Sequence, residues 1–402
     1  MKVLFVIPAY EPAWHLGGVV ECTSLLSRSL SALGVDVTVY TTDSGANRRL
    51  NVLLNQPVQV NGVRVFYFRT DWSLRYFYSR ALAKACRDTL RAYDIIHVVS
   101  LWCYPGLVAC REARKQAIPY VLAPHGTLIP YCLRQKRFRK LLYLKTVEYP
   151  NLQYAAAICY TTELEREQCA HLRLATPSFV VPNGINCSEF NRLPCPEEAM
   201  NRLGLPPGRR VVAYLGRLHS RKGLDILVLA FAQVIEQVRD GLLVLAGPDD
   251  GYETSLRNLV RKLGLDKHVL FTGFLNKERR LDLFSVAKLV TLVSYPGDNF
   301  GMAVVEAMAA GVPVLISEHV GIHREVTVDG AGRVVPLERD AIARGLMQLL
   351  SSPPILQEMG RRAYVSARKR YDVRTVAQQI LLAYEDIITE RRSPSLGWSD
   401  AC

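Results

Sequence analysis

The 402-residue sequence predicts an α/β protein made of two doubly wound halves, each a parallel sheet covered by helices on both faces. Three observations carry this expectation. Short apolar runs of strand length alternate with longer stretches of helical period. The alternation breaks in a segment rich in proline, asparagine and glycine, "FVVPNGINCSEFNRLPCPEE" (residues 179–198), and then starts afresh. The chain also exceeds the ~250–300 residues at which a single hydrophobic core usually stops growing.

The elements follow in order. Residues 2–8 read as a strand, and a loop through Gly17-Gly18 leads to a helix at 19–32 closed by Gly34. A strand at 35–41 completes one strand–helix–strand unit. Further strands are expected at 63–68, 95–99, 120–123 and 156–160, with helical patterns between them. In the second half, strands at 209–216, 241–247, 268–274 and 289–293 alternate with helices at 224–236, 252–263 and 277–284. A turn with Pro296 and Gly297 then precedes a helix at 302–310, stopped by Gly311 and Pro313, and a buried strand at 312–317. The expected domains are 1–192 and 193–372. A last helix at 373–392 is expected to pack back on the N-terminal domain, before a disordered tail at 393–402. In such sheets ligands sit at the carboxyl ends of the strands, often in a cleft between domains.

Composition narrows the class. Hydrophobic residues make up 49% and charged ones 22%, a globular balance rather than a disordered one. The ten cysteines are scattered without a C-x-x-C pair, which argues for free thiols in a reducing cytoplasm and against a zinc site or disulfide framework. "MKVLFVIPAY" begins like a secretory signal, but its apolar run ends at Pro8 and Glu11 follows. No run approaches the ~18 apolar residues of a spanning helix. The expectation is a cytoplasmic protein, at most peripheral to the inner face of the cytoplasmic membrane.

The formal net charge of +13 points to an anionic partner. Much of it lies in "LRQKRFRKLLYLK" (Leu133 to Lys145). Wound as one helix, this stretch puts Lys136, Arg139 and Lys140 on one face and Phe138 and Leu142 roughly opposite. It reads as a solvated face beside a core stripe, or as a surface for anionic lipid headgroups. Without a zinc-finger, RNA-recognition or basic-zipper signature, nucleic acid is not expected as a partner.

Two stretches carry chemistry. In "SYPGDNFGMAVVEAMAAGVPVLIS" (residues 294–317), Glu306 sits inside an otherwise apolar helix and Asp298 stands in the turn before it. A buried carboxylate must be paired or hydrogen-bonded. Glu306 therefore emerges at the surface, meets a structural arginine, or accepts hydrogen bonds from a ligand's hydroxyls. The mouth of the same helix favours anions, because its first amides are unpaired and its dipole is positive there. In "YLGRLHSRKGLDILVLAF" (residues 214–231), Arg217 and Lys222 occupy a strand-to-helix loop and Gly223 opens the helix. Two cations there suit a diphosphate, the alternative being a solvated basic loop. Neither a P-loop nor a G-x-G-x-x-G pattern is present, which weakens ATPase and dinucleotide readings. His319 and His323 lack the Glu and the helix of a metal pair, Cys103 and Cys110 read as buried small hydrophobes, and His125 alone reads as a satisfied buried histidine.

Together, "GRLHSRKGLDILVLAF" and "DNFGMAVVEAMAAGVPVLIS" resemble the carboxy-terminal half of retaining glycosyltransferases of the GT-B fold, in particular family four, which includes bacterial enzymes of surface and exopolysaccharide assembly. "VPNGIN" (181–186) resembles that family's interdomain segment, and "APHGTL" (123–128) its amino-terminal signature. The resemblance implies two Rossmann-like domains facing across a cleft. It implies a nucleotide diphosphate sugar as donor, a glycan or lipid-linked glycan as acceptor, and no metal or other cofactor. By the same resemblance, Glu306 holds the ribose hydroxyls and Asp298 lies against the donor sugar, although the family has a longer glutamate there. Arg217 and Lys222 hold the diphosphate, and Gly17-Gly18 face it. The amides of Asn299, Phe300 and Gly301 face sugar and phosphate, Gly273 and Phe274 flank the base, and His125 stands beside the reacting sugar. The leaving group is then a nucleotide diphosphate, whose growing charge the cations and helix amides stabilise. Front-face attack needs no protein nucleophile, so neither acid is assigned that role. The rivals are a nucleotide-sugar epimerase of the same fold and a non-catalytic polyanion-binding protein.

Overall fold

The computed structural model describes residues 1–392 apart from 15–16, 46–47, 73, 75 and 135–136. Two expectations fall outside those residues: Lys136 of the basic face, and the disordered tail at 393–402. The chain divides into two compact units. One is Met1–Gly184 together with the helix Val373–Arg392, the other Ile185–Asp372.

In the first unit, β1 (Lys2–Val6), β2 (Asp36–Thr42), β4 (Val63–Phe68), β5 (Ile95–Val99), β6 (Tyr120–Ala123), β7 (Ala157–Tyr160) and β8 (Ser178–Val180) run parallel. Only β3 (Pro57–Val60) is antiparallel, in a hairpin with β4. The order is β3-β4-β2-β1-β5-β6-β7-β8, so the winding reverses between β1 and β5. Strands β5, β6 and β7 are buried at every residue, as expected of parallel strands covered on both faces. The helices are α1 (Gly18–Ala32), α2 (Arg80–Thr89), α3 (Tyr104–Lys115), α4 (Pro130–Arg134), α5 (Arg137–Tyr143), α6 (Tyr149–Gln153) and α7 (Glu163–Cys169).

The second unit holds a parallel sheet in the order β11-β10-β9-β12-β13-β14. Its elements are α8 (Pro196–Leu203), β9 (Arg210–Leu215), α9 (Leu224–Gln237), β10 (Gly241–Ala246), α10 (Glu253–Lys262), β11 (Val269–Gly273), α11 (Lys277–Val286) and β12 (Ala287–Leu292). They continue through α12 (Met302–Ala309), β13 (Val314–Ser317), α13 (His323–Val328), β14 (Gly332–Val335), α14 (Arg339–Leu350) and α15 (Pro353–Tyr371). Here the winding reverses between β9 and β12. The last helix, α16 (Val373–Arg392), places Val376, Ala377, Ile380 and Tyr384 in the first unit's core, where Tyr384 Oη lies 2.6 Å from His97 Nδ1 on β5.

Two expectations need correction. The boundary falls after Gly184, not after residue 192. Residues 185–192 belong to the second unit because the Ile185 amide bonds the Tyr371 carbonyl at 2.8 Å, and Phe190 packs its ring edge-on against Phe284. The basic stretch also lacks the expected core stripe. Its described residues are helical, in α4, α5 and a π-helical turn at Leu144–Glu148, and Phe138 and Leu142 are 88% and 66% exposed. Lys140 turns away from the expected basic face, donating to the Cys132 carbonyl at 2.6 Å and lying over the Trp102 ring. The short strands β3, β8 and β14 carried too few apolar residues to be anticipated.

Candidate active site

In an open parallel sheet the ligand crevice forms where the winding reverses, at the strands' carboxyl ends. For the second unit that point is the pair β9–β12, and the two chemistry-bearing stretches of the sequence leave these two strands. The carboxyl edge of the sheet is closed by glycine. A Cβ on Gly247, after β10, would stand 1.9 Å from the Gly216 carbonyl oxygen, and one on Gly223 would stand 2.0 Å from that of Val293. No side chain fits at either place. The adjacent loops therefore approach each other backbone to backbone.

Polar contacts then lace the loops together. The Tyr295 amide donates to the Arg221 carbonyl at 2.9 Å, and Arg221 Nη2 to the Gly297 carbonyl at 3.1 Å. Lys222 Nζ lies 2.6 Å from Asp298 Oδ2, which also accepts from Ser294 Oγ at 2.7 Å. Burial pushes the Asp298 carboxyl up, but the Lys222 charge and hydrogen bond, with Ser294 and Arg221, outweigh it and hold the group below the usual carboxylate range. Asp298, expected against a donor sugar, is thus held in place by a lysine and a serine. Arg217 is more open and pairs with Asp250 at 2.8 Å.

Gly301 has φ 92° and opens α12, with Val320 too close for a side chain. The Phe300 side chain is buried against Tyr371, which leaves its backbone as the part that can face a ligand. Asn299 lies between these turns. On α12, Glu306 is 7% exposed and meets Arg280 of α11 at 2.9 Å. Of the sequence's alternatives, the structure excludes emergence at the surface and provides an arginine partner. At the far edge, Gly273 ends β11 with φ 68°, its carbonyl accepting from the Gly247 amide, and Phe274 stands 73% exposed.

The first unit uses its acids differently. Gly17 caps α1 at φ 102° and Gly18 begins the helix. The loop before them is anchored by buried Glu11, which accepts from Ser24, Arg28 and Asn61. His125 follows β6 with φ 47°. Burial lowers its pKa, partly offset by the charge of Glu165. That acid, 1% exposed at the start of α7, accepts from the Gly126 amide and from the amide and hydroxyl of Thr161. Sequence reasoning missed Glu165 and used Glu11 only against a signal peptide. The one local signal was Thr162, a helix cap three residues before Glu165. His125, Gly17 and Gly18 belong to this unit, whereas Arg217, Lys222, Gly273, Phe274, Asp298, Asn299, Phe300, Gly301 and Glu306 belong to the other. Among the described residues no group of three or more His, Cys, Asp or Glu side chains is placed to hold a metal.

Comparison with known proteins identifies the family. Residues 17–184 match the glycosyl transferase 4-like domain, and residues 196–366 match glycosyl transferases group 1. The chain belongs to the family-four glycosyltransferases of the GT-B fold. This glycosyltransferase is 26% identical to an uncharacterized glycosyltransferase of Methanocaldococcus jannaschii over 96% of its own length and 98% of that protein. It is 32% identical to the phosphatidyl-myo-inositol mannosyltransferase of Mycobacterium leprae, over 54% of its length and 55% of that enzyme. Its fold matches sucrose-phosphate synthase of Thermosynechococcus elongatus (TM-score 0.75, 21% identity, 96% of this chain and 99% of that one). It also matches Anabaena HepE in complex with UDP and glucose (TM-score 0.75, 23% identity, 96% and 100%).

Proposed function

We propose that this glycosyltransferase moves a sugar, with retention of anomeric configuration, from a nucleoside diphosphate sugar to a hydroxyl of a glycan or lipid-linked glycan. The observation that carries the proposal is the pair of laced loops at the β9–β12 reversal, with Arg217 and Lys222 on one and the amino end of α12 after the other. A departing nucleoside diphosphate gains negative charge, and fixed cations and helix amides stabilise it without reorganising. Glu306, whose carboxylate pairs with Arg280, is proposed to hold the ribose hydroxyls. No side chain is assigned as nucleophile, and no metal is invoked. The UDP found in HepE makes uracil the first base to try.

The test is thermal unfolding with UDP, GDP, ADP and dTDP, on wild type and Glu306→Ala. At a hundredfold excess over the dissociation constant, a ligand of the native state adds ~2.7 kcal/mol of apparent stability. One nucleotide should shift wild type and lose most of its effect in Glu306→Ala. If none of the four shifts wild type at millimolar concentration, the donor site is not of this kind.

A second part of the reading concerns the acceptor's setting. Exposed Phe138, Leu141 and Leu142 stand beside exposed Arg134, Arg137, Arg139 and Lys145, which suits a bilayer with anionic headgroups. No helix among the described residues is long and apolar enough to cross a membrane. Sedimentation with phosphatidylglycerol vesicles should fall several-fold in Phe138→Glu/Leu142→Glu; unchanged sedimentation would dispose of this surface.

A further inference from the structure

The Lys222–Asp298 pair is more than a contact within a loop. Of the two cations proposed for the diphosphate, Arg217 is 68% exposed at its side chain and pairs with an open partner. Lys222 is 25% exposed and Asp298 12%, and their contact is 2.6 Å. Asp298 is fixed from three sides: by Lys222, by Ser294 Oγ, and through its own carbonyl, which accepts from the Gly321 amide at 3.2 Å. Lys222 is the last residue of a short turn, and Gly223 after it leaves no room to shift against Val293. Two enclosed opposite charges thus sit where one of them is expected to meet an anion.

We propose that Asp298 is a positioning residue: it acts on the donor through Lys222, as that lysine's counter-ion. An anion entering the site meets a lysine whose charge is already matched, so its attraction is moderated and a spent nucleoside diphosphate is not held too firmly. In a partly enclosed site such a charge acts at far lower effective dielectric than water, so neutralising it outweighs the small entropy of a looser lysine.

The inference rests on the diphosphate reading above, and the experiment separates the two. Binding of the nucleoside diphosphate that wild type prefers (of UDP, GDP, ADP and dTDP) is measured by titration calorimetry on wild type, Asp298→Asn, Asp298→Glu, Lys222→Met and Lys222→Met/Asp298→Asn. Asp298→Asn, near in shape and neutral, should bind the bare diphosphate about tenfold more tightly. Asp298→Glu, which keeps the charge, should stay within about twofold of wild type. Because the acid acts through the lysine, adding Asp298→Asn to Lys222→Met should change binding by less than about twofold. Damage to the fold cannot tighten binding, which makes the sign diagnostic. Unchanged or weaker binding of the diphosphate by Asp298→Asn overturns the inference, as does tightening that persists without Lys222. No binding by wild type removes the diphosphate reading itself.

Discussion

The two units use several of their acids differently, although Glu11 of the first meets Arg28 much as acids of the second meet cations. In the first, Glu165 accepts from backbone amides and hydroxyls, and Glu148 from the Trp102 amide and Asn151, so these acids build loops. In the second, Asp298 meets Lys222, Glu306 meets Arg280 and Asp282 meets Arg202, so these acids match cations. An acid bonded to neutral donors holds a shape, whereas an acid bonded to a cation also sets how strongly that cation attracts a ligand. The glycines also fall into two kinds. Gly223 and Gly247 of the second unit are demanded by backbone approach, while Gly17 of the first, like Gly273 of the second, has a positive φ with open space around it.

The contrast can be broken at several places. The largest effect is expected at Gly223→Ala, where a Cβ would meet the Val293 oxygen at 2.0 Å. Forcing those loops apart should cost about 3 kcal/mol or more in urea unfolding and abolish nucleotide binding. Next comes Glu165→Ala, which strands the buried Gly126 and Thr161 donors and should cost about 3 kcal/mol. A loss below about 0.5 kcal/mol would show that the amides find other partners. Gly17→Ala should cost only about 1–2 kcal/mol, from backbone strain without a clash. A loss as large as at Gly223 would put the two kinds of glycine in one class.

The smallest effect is in pH, where the signs should oppose. Burial, despite its hydrogen bonds to Trp102 and Asn151, raises Glu148 above its ordinary value of 4.5. Its contribution is therefore present below that value and lost as pH rises through the higher folded one. Asp298 is lowered from 3.8, so its contribution is present above that value and lost as pH falls through the lower folded one. Urea midpoints measured from about pH 3 to about pH 7 should differ from wild type at the alkaline end in favour of Glu148→Gln, and against Asp298→Asn. The same sign for both would mean that Glu148 and Asp298 do not differ in kind.

Much of the site was legible because it lies on two short continuous stretches. Arg217, Lys222 and Gly223 follow one strand, and Asp298 through Glu306 follow another; the sheet makes those strands neighbours. Glu165 and Glu11 were not legible as anchors. Their partners, Gly126 and Asn61, lie 39 and 50 positions away, and an acid in a polar stretch gives no sign of being buried. The same limit affected the basic stretch. Its helical period was visible, but whether Phe138 and Leu142 meet a core depends on what folds over them, and nothing among the described residues buries them.

The sequence by itself determined the alternation of strands and helices, the two parallel sheets and the loops on which the chemistry rides, since periodicity and glycine placement are local properties. Tertiary structure alone decided which charge each acid meets. Glu306 meets Arg280 and Asp298 meets Lys222, each a side chain from another element, because a buried carboxylate takes whatever donor the packing brings within reach.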